Sequence, residues 1–440
     1  MTGSRGSHAL GLRPPVKGEY SVVCIVCVCA DCAVLVAAPP AAAVMNNQAN
    51  LRTSIEPAIR HRAMLHLLVV PVLLSWCSHE SVLRLRGGGA LPKALDKKLT
   101  ADDANAVQTA LDQGKLDVDM VNSEGNSALH TASRHGSSGA LEVLLQHYSS
   151  VDVRRASDGG TPLMYAAQNG HPQCIEMLLR AGAQVNLVQS EGSAAVHYAC
   201  RHGHSECLAL LLGAKGCDAD TLRADGISSL MVAAYNNQRA CLELLLNTRG
   251  VNLGRRSGAD LAALDYTCRE GHAEITAALL RAGAPKDARQ SDGGTTALHW
   301  AAEGGHAACV AALLDAGADV SVVRTDGSSP LHYAAIRGRE ECVRLLCEAG
   351  ADASACRTNG ATPLHLAAQQ GETACVAHLL SHGAPVNAAV SNNAANRMVD
   401  VSTPLDLAAQ ARHRACAAML EKAGGLSGAK LQAASLQATG

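Results

Sequence analysis

Five of the nine aromatic residues in this 440-residue chain stand in one file. Tyr165, Tyr198, Tyr266, Trp300 and Tyr333 each lie two positions after a leucine or valine that recurs along the chain. Such side chains join a broad apolar face to a polar handle, which makes them common anchors where proteins bind proteins. Arg201, Arg269 and Arg337 follow three or four positions later, and a guanidinium there can pair with a partner's carboxylate. The chemistry available to this set is recognition. The plainer reading of the aromatic file is packing between repeated units, alone or combined with partner contact.

No pattern for bond-making chemistry competes with it. The sequence holds no Gly-rich phosphate loop followed by Lys, no HExxH and no GxSxG, so neither an enzyme nor a cofactor is expected. His130, His197, His299, His332 and His365 share one recurring position, and His171, His204, His272 and His306 share another. A recurring unit accounts for this spacing without a metal. Seven of the seventeen cysteines, Cys174, Cys207, Cys241, Cys309, Cys342, Cys375 and Cys416, also share a position, which Ala140 and Ile275 fill in other copies. A site that accepts Ile and Ala wants a small buried hydrophobe, and a free thiol behaves as one. Neither metal nor disulfide is expected there, and many unpaired thiols suit a reducing compartment. Cys24, Cys27, Cys29 and Cys32 form a C-x2-C-x-C-x2-C cluster. That spacing could hold a metal through thiolates, although a Cys-rich apolar segment is the simpler reading.

The elements that must position these residues are written as one phrase repeated nine times between Ser123 and Gly425. Its first large apolar residue is Leu129, Leu163, Val196, Leu230, Leu264, Leu298, Leu331, Leu364 and Leu405, with steps of 33 or 34 residues and a last step of 41. A fixed period of this size marks a stacked array. Thr-Pro-Leu stands intact at Thr161–Leu163, Thr362–Leu364 and Thr403–Leu405, with variants such as Thr296–His299 and Ser329–His332 elsewhere.

On these motifs the chain resembles the ankyrin repeat family, over about 300 residues. The resemblance implies an all-α solenoid of helix-turn-helix pairs with projecting β-hairpin loops, first helices lining a concave side, and a structural hydrogen bond for the histidine of each block. Local chemistry agrees. Thr or Ser can cap the first helix with Pro at its first position, Gly170 and its counterparts can end it, and a leucine pair such as Leu178–Leu179 marks the second helix. One such unit cannot bury its apolar face alone, so stability must come from neighbours. Five residues after the key leucine the sequence varies freely, as at Gln168, Arg201, Tyr235, Arg269 and Ile336. Arg154, Arg155, Arg223, Arg255, Arg256, Arg289, Arg324 and Arg357 fall on hairpin tips. They read as solvated turns, with attraction of an acidic segment as the alternative. In the fifth copy Asp260 stands at a turn glycine position and Asp265 replaces the histidine, which makes that repeat a candidate hinge.

Residues 93–122 read as an N-terminal capping partial repeat, with Thr100 as a helix cap and Asp103 three residues on. Residues 426–440 read as a flexible tail, and the long last step places an insertion near residues 388–401. Residues 1–92 lack the repeat and read as a largely disordered leader. Within it, 64–78 has the basic flank, short apolar centre and small residues of a targeting signal, and 82–88 (VLRLRGG) resembles the C-terminal tail of ubiquitin, which suggests an exposed cleavable linker. Residues 93–440 carry 29 basic and 35 acidic residues, and residues 1–92 carry 8 and 4. Neither balance suggests nucleic acid as the partner. The expectation is a protein-binding scaffold or adaptor in the cytoplasm. Alternatives are a substrate-recruiting subunit of a ubiquitin ligase or kinase complex, and an adaptor tethered to a membrane or sent to the secretory pathway or an organelle through residues 1–92. The expected contact set is Tyr165, Tyr198, Tyr266, Trp300, Tyr333, Arg201, Arg269 and Arg337.

Overall fold

The computed structural model describes residues 24–29, 32–37, 89–391 and 401–439. The chain divides into two units, residues 1–87 and 88–440. In the first, the strands Cys24–Cys29 and Cys32–Ala37 pair antiparallel with Cys29 opposite Cys32. Both runs are rich in valine, which suits a pleated backbone, so this part of the leader is a hairpin where disorder was expected. The targeting-like stretch at 64–78 and the ubiquitin-tail-like stretch at 82–88 lie outside the described residues.

In the second unit, nine helix pairs follow one another from Ala128 to Lys422. The first helix of repeat 2, Pro162–Asn169, shows why each forms. Thr161 is extended and its hydroxyl accepts the Met164 N–H (3.4 Å), Pro162 opens the helix where no intrahelical donor is needed, and Gly170 ends it in a left-handed conformation with φ of 74°. In repeats 1, 6, 7 and 8 the block histidine completes the cap. The Ser127 N–H and hydroxyl reach His130 Nδ1 at 3.2 and 2.8 Å. Because Nδ1 accepts from that N–H, Nε2 carries the proton, and it donates to the Gly160 carbonyl of the next repeat at 3.0 Å. His130, His299 and His332 thus tie their own helices to the next repeat.

The core runs the length of the stack. Leu129, Leu163, Leu230, Leu298 and Leu364, the paired alanines of repeats 2, 4, 6, 7 and 8, and the seven-residue cysteine file are all almost fully buried. Neighbouring first helices pack against each other more extensively than neighbouring second helices do. The hairpins are short. They close through bonds such as Gln189 N–H to Ser193 O (3.0 Å), and each tip is tied to the previous one, as by Ser190 N–H to Asp158 O (2.8 Å) and Thr358 N–H to Asp326 O (2.9 Å).

Several expectations are corrected. The array begins before residue 93, because Leu91 N–H bonds to Val121 O at 2.8 Å. The capping region is a full helix pair, Lys93–Thr100 and Ala104–Asp112. Thr100 ends its first helix, its hydroxyl donating to Lys97 O, while Asp103 is the true cap of the second, accepting from Ala106 N–H at 3.0 Å. The tail carries a helix, Gly428–Thr439, whose first N–H donates to Asp406 Oδ2 at 2.7 Å. The long last step is flanked by Val390–Ser391 paired antiparallel with Val401–Ser402. Repeat 5 is well tied where a hinge was expected. Asp265 accepts the Ala262 N–H at 2.9 Å, and the Asp260 carboxylate accepts from the Ser291 N–H and hydroxyl at 2.5 and 2.8 Å.

Candidate functional site

The repeat frame sets the variable residues out in a row along the first-helix layer. In repeats 1, 2, 4 and 5, the histidine that opens the next second helix donates from Nε2 to the carbonyl of the variable residue: His171 to Arg134, His204 to Gln168, His272 to Tyr235 and His306 to Arg269, at 3.0 to 3.2 Å. The backbone of these four variable positions is held by the neighbouring repeat.

The expected contact set is only partly available on that layer. Tyr165 and Tyr266 are 8% and 7% exposed, whereas Tyr198, Trp300 and Tyr333 are half-buried. The rings do not form a column stacked on itself. Tyr165 meets His130 edge-on at 5.6 Å, Tyr333 meets His299 edge-on at 5.8 Å, and Tyr266 meets Tyr235 at 5.9 Å. Burial pushes the Tyr165 hydroxyl up to about 12. The Trp300 Nε1–H is buried with no hydrogen-bond partner. Arg201 is exposed, Arg337 is answered by Glu303 at 2.7 Å, and Arg269 pairs with Glu270 at 3.0 Å while its guanidinium lies over the Tyr266 ring at 5.4 Å.

Two clefts open on this layer over repeats 1 to 5. The first, of about 340 Å³, lies between repeats 1 and 3. Arg134, Arg155, Asp158, Gln168, Asn169, Glu191, Tyr165 and Tyr198 are among its lining. The second, of about 380 Å³, spans repeats 3 to 5 and is lined by Arg201, Arg223, Ile227, Met231, Val232, Tyr235, Asn236, Tyr266 and Arg269. Tyr235 is 47% exposed, the most open aromatic side chain among the described residues. It stands in the variable column, outside the aromatic file. The available signal was that Arg201, Tyr235 and Arg269 hold that one position in three successive repeats.

The hairpin arginines are tied down within the chain. Arg155 pairs with Asp158 (2.5 Å), Arg255 with Asp220 (2.6 Å), Arg357 with Asp326 (3.0 Å) and Arg223 with Asp225 (3.2 Å). Arg289 donates to the Val323 carbonyl and Arg324 to the Tyr333 hydroxyl. Much of their charge therefore joins one hairpin to the next.

Burial pushes the imidazoles of His130, His197, His299 and His332 down to about 4, so they stay neutral at neutral pH. It pushes the thiols of Cys174, Cys207 and Cys342 up to about 11, which makes them poor nucleophiles. The cysteines of the array are free thiols. Among the described residues, no group of three or more His, Cys, Asp or Glu is placed to hold a metal, and no helix is long and apolar enough to cross a membrane.

Comparison with known proteins gives a family. The family described as Ankyrin repeats (3 copies) matches six overlapping segments from residue 98 to residue 430. The B-cell lymphoma 3 protein homolog of Mus musculus is 32% identical over 133 residues, 28% of this chain and 29% of that protein. E3 ubiquitin-protein ligase KEG of Arabidopsis thaliana is 42% identical over 65 residues, 14% of this chain and 4% of the ligase. Ankyrin repeat and SOCS box protein 2 of Bos taurus is 32% identical over 91 residues, 21% of this chain and 14% of that protein. The chain thus spans less than a third of the length of these relatives. Among solved structures, the human ASB11 ankyrin repeat domain aligns with a TM-score of 0.47 and 28% identity, over 51% of this chain and 99% of that one.

Proposed function

The chain belongs to the ankyrin-repeat family, and from that premise we propose that it is a protein-binding scaffold or adaptor, not an enzyme, whose partner lies along the concave first-helix layer. The observation that carries this reading is a pinned backbone beneath a row of side chains that varies from repeat to repeat. Histidines fix the carbonyls of Arg134, Gln168, Tyr235 and Arg269, while the side chains above them differ from repeat to repeat. A preformed surface of this kind loses little ordering entropy when a partner binds. Tyr198, Trp300, Tyr333, Arg201 and Arg269 are the proposed contact residues. Tyr165 and Tyr266 support them from below, and Arg337 contributes after exchanging Glu303 for a partner carboxylate.

Replacing Trp300 and Tyr333 together by Ala tests the reading on a partner identified by cross-linking to the full chain. The expected result is a loss of affinity of about 30-fold or more, in line with truncation of interface aromatics, with the cooperative unfolding transition retained. A double variant that unfolds assigns these rings to packing alone.

A second reading has a specific observation behind it. Two of the matched relatives are named as an E3 ubiquitin-protein ligase and as an ankyrin repeat and SOCS box protein. On that reading the array recruits substrates to a ubiquitin ligase. Full chain purified from cells would then bring ubiquitin-transfer activity with it, and preparations without such activity would remove this alternative.

A further inference from the structure

The second cleft differs from the first in its charge. Three guanidinium groups line it and no carboxylate does. Arg201 makes no ion pair among the described residues, although Arg223 and Arg269 each have one carboxylate outside the lining, Asp225 at 3.2 Å and Glu270 at 3.0 Å. Neither pairing exhausts its donors, because a guanidinium carries five N–H groups. Arg223 Nε is buried and without a hydrogen-bond partner, and an unmet buried donor is costly unless something reaches it. Arg269 is held in place by two rings, with Cζ 5.4 Å from the Tyr266 centroid and 6.0 Å from that of Tyr235. Beside these donors stand Ile227 and the half-exposed ring of Tyr235.

Resting on the adaptor reading above, we propose that this cleft is the specificity subsite of the binding face. It receives an Asp or Glu carboxylate of an extended partner segment, with an adjoining aliphatic or aromatic side chain seated against Tyr235 and Ile227. Arg201 and Arg223 supply the forked donors that match a carboxylate, and Arg269 supplies both a donor and a fixed wall. The cleft's volume of about 380 Å³ suits one or two side chains. A nucleic acid is a poorer fit, because its backbone calls for a long row of phosphate contacts, while residues 93–440 hold 29 basic against 35 acidic residues.

Selection of a random-peptide phage library on the immobilised full chain tests this. The expected peptides carry Asp or Glu next to a large apolar residue. Synthesised singly, they should lose about 10-fold in affinity on Arg201→Gln, and about 100-fold on Arg201→Gln with Arg269→Gln, by loss of charge-assisted contacts. Exchange of the peptide's acid for its amide should cause a similar loss. Arg281→Gln, exposed at the end of the second helix of repeat 5 and away from the first-helix layer, should leave affinity unchanged, and far-ultraviolet circular dichroism of each variant checks that the stack is intact. Selected peptides without acidic residues, or acidic peptides indifferent to Arg201→Gln, would overturn the subsite while leaving the adaptor reading standing. A library that yields no binder would count against both. Displacement of the acidic peptides by single-stranded DNA at equal concentration would reassign the cleft to nucleic acid.

Discussion

The two clefts lie on the same helical layer, yet one is neutralised from within and the other is not. In the first, Arg155 is answered by Asp158 at 2.5 Å and Arg134 by Glu124 at 2.7 Å, and Asp158 and Glu191 stand in the lining itself. In the second, the lining holds arginines and tyrosines without a carboxylate. The frame beneath is the same in both. Tyr165 and Tyr266 are sealed at equivalent positions, and Leu163 and Leu230 are both almost fully buried. The contrast comes from the variable column, which reads Arg134, Gln168, Arg201, Tyr235, Arg269, and from the hairpin residues that face it. In this architecture stability and recognition are written in separate columns of one repeat.

The strongest way to break that separation is to damage the frame under one cleft. Leu230→Ala should destabilise the array by about 2–5 kcal/mol, as large-to-small changes in packed cores do, measured by urea unfolding. Because each repeat touches only its neighbours, amide exchange should speed up around repeats 3 to 5 and change little at repeat 1. The acidic peptides of the second cleft should be lost with it. Uniform acceleration along the whole chain would mean that the clefts do not rest on separable supports.

Acid should act on repeats 1 and 5 with opposite sign. His130 stands edge-on to Tyr165 beside the first cleft, and its native value near 4 lies below the unfolded one. Between those values the unfolded chain binds the extra proton, so the stability His130 contributes is complete above about pH 6.5 and is lost as pH falls toward 4. Asp265 holds the histidine's place next to Tyr266, and burial pushes its carboxyl up to about 6. There the native state holds the extra proton, so its contribution is lost as pH rises through 6. Going from about pH 7 to about pH 5 should therefore weaken repeat 1 by on the order of 2 kcal/mol while sparing repeat 5. Residue-resolved hydrogen exchange at the two pH values reads this directly. Equal weakening of both repeats would remove the distinction.

The frame was legible in the sequence because it is periodic. Thr-Pro-Leu blocks, paired alanines, the cysteine file and the turn glycines announced helix pairs, and the helices stand where those signals put them. The misreadings arose where one copy departs from the period. Thr100 and Asp103 both carry capping side chains, and only the packing of the first helix pair decides that Asp103 is the cap. Asp260 and Asp265 looked like weaknesses because their compensating bonds, to Ser291 and to the Ala262 N–H, depend on three-dimensional proximity. The face was legible only in part. The aromatic file was visible, but its spacing does not tell the sealed rings of Tyr165 and Tyr266 from the half-buried ones of Tyr198, Trp300 and Tyr333. Arg337 and Arg201 look alike in the sequence, and only one of them meets a glutamate across the repeat boundary.

The smallest test concerns a residue under the second cleft. Repeat 2 ends its first helix with Gly170 at a φ of 74°, and repeat 4 ends its own with Asn237 at 57°. A side chain in this left-handed region is strained, although Asn bears it better than most residues. A Cβ on Gly170 would come within 2.6 Å of His204 Nδ1, the ring that holds the Gln168 carbonyl. Repeat 4 accommodates Asn237 while His272 still reaches Tyr235 O at 3.0 Å. Asn237→Gly should relieve the strain but loosen the unfolded chain, and the two effects nearly cancel, leaving a gain of no more than about 0.5 kcal/mol. Gly170→Asn should lose about 1–3 kcal/mol, because strain and displacement of His204 act together. Thermal unfolding of the two variants would show the asymmetry. Equal and opposite shifts would mean that the histidine brace adds nothing beyond the turn, and that the variable residues are held by their helices alone.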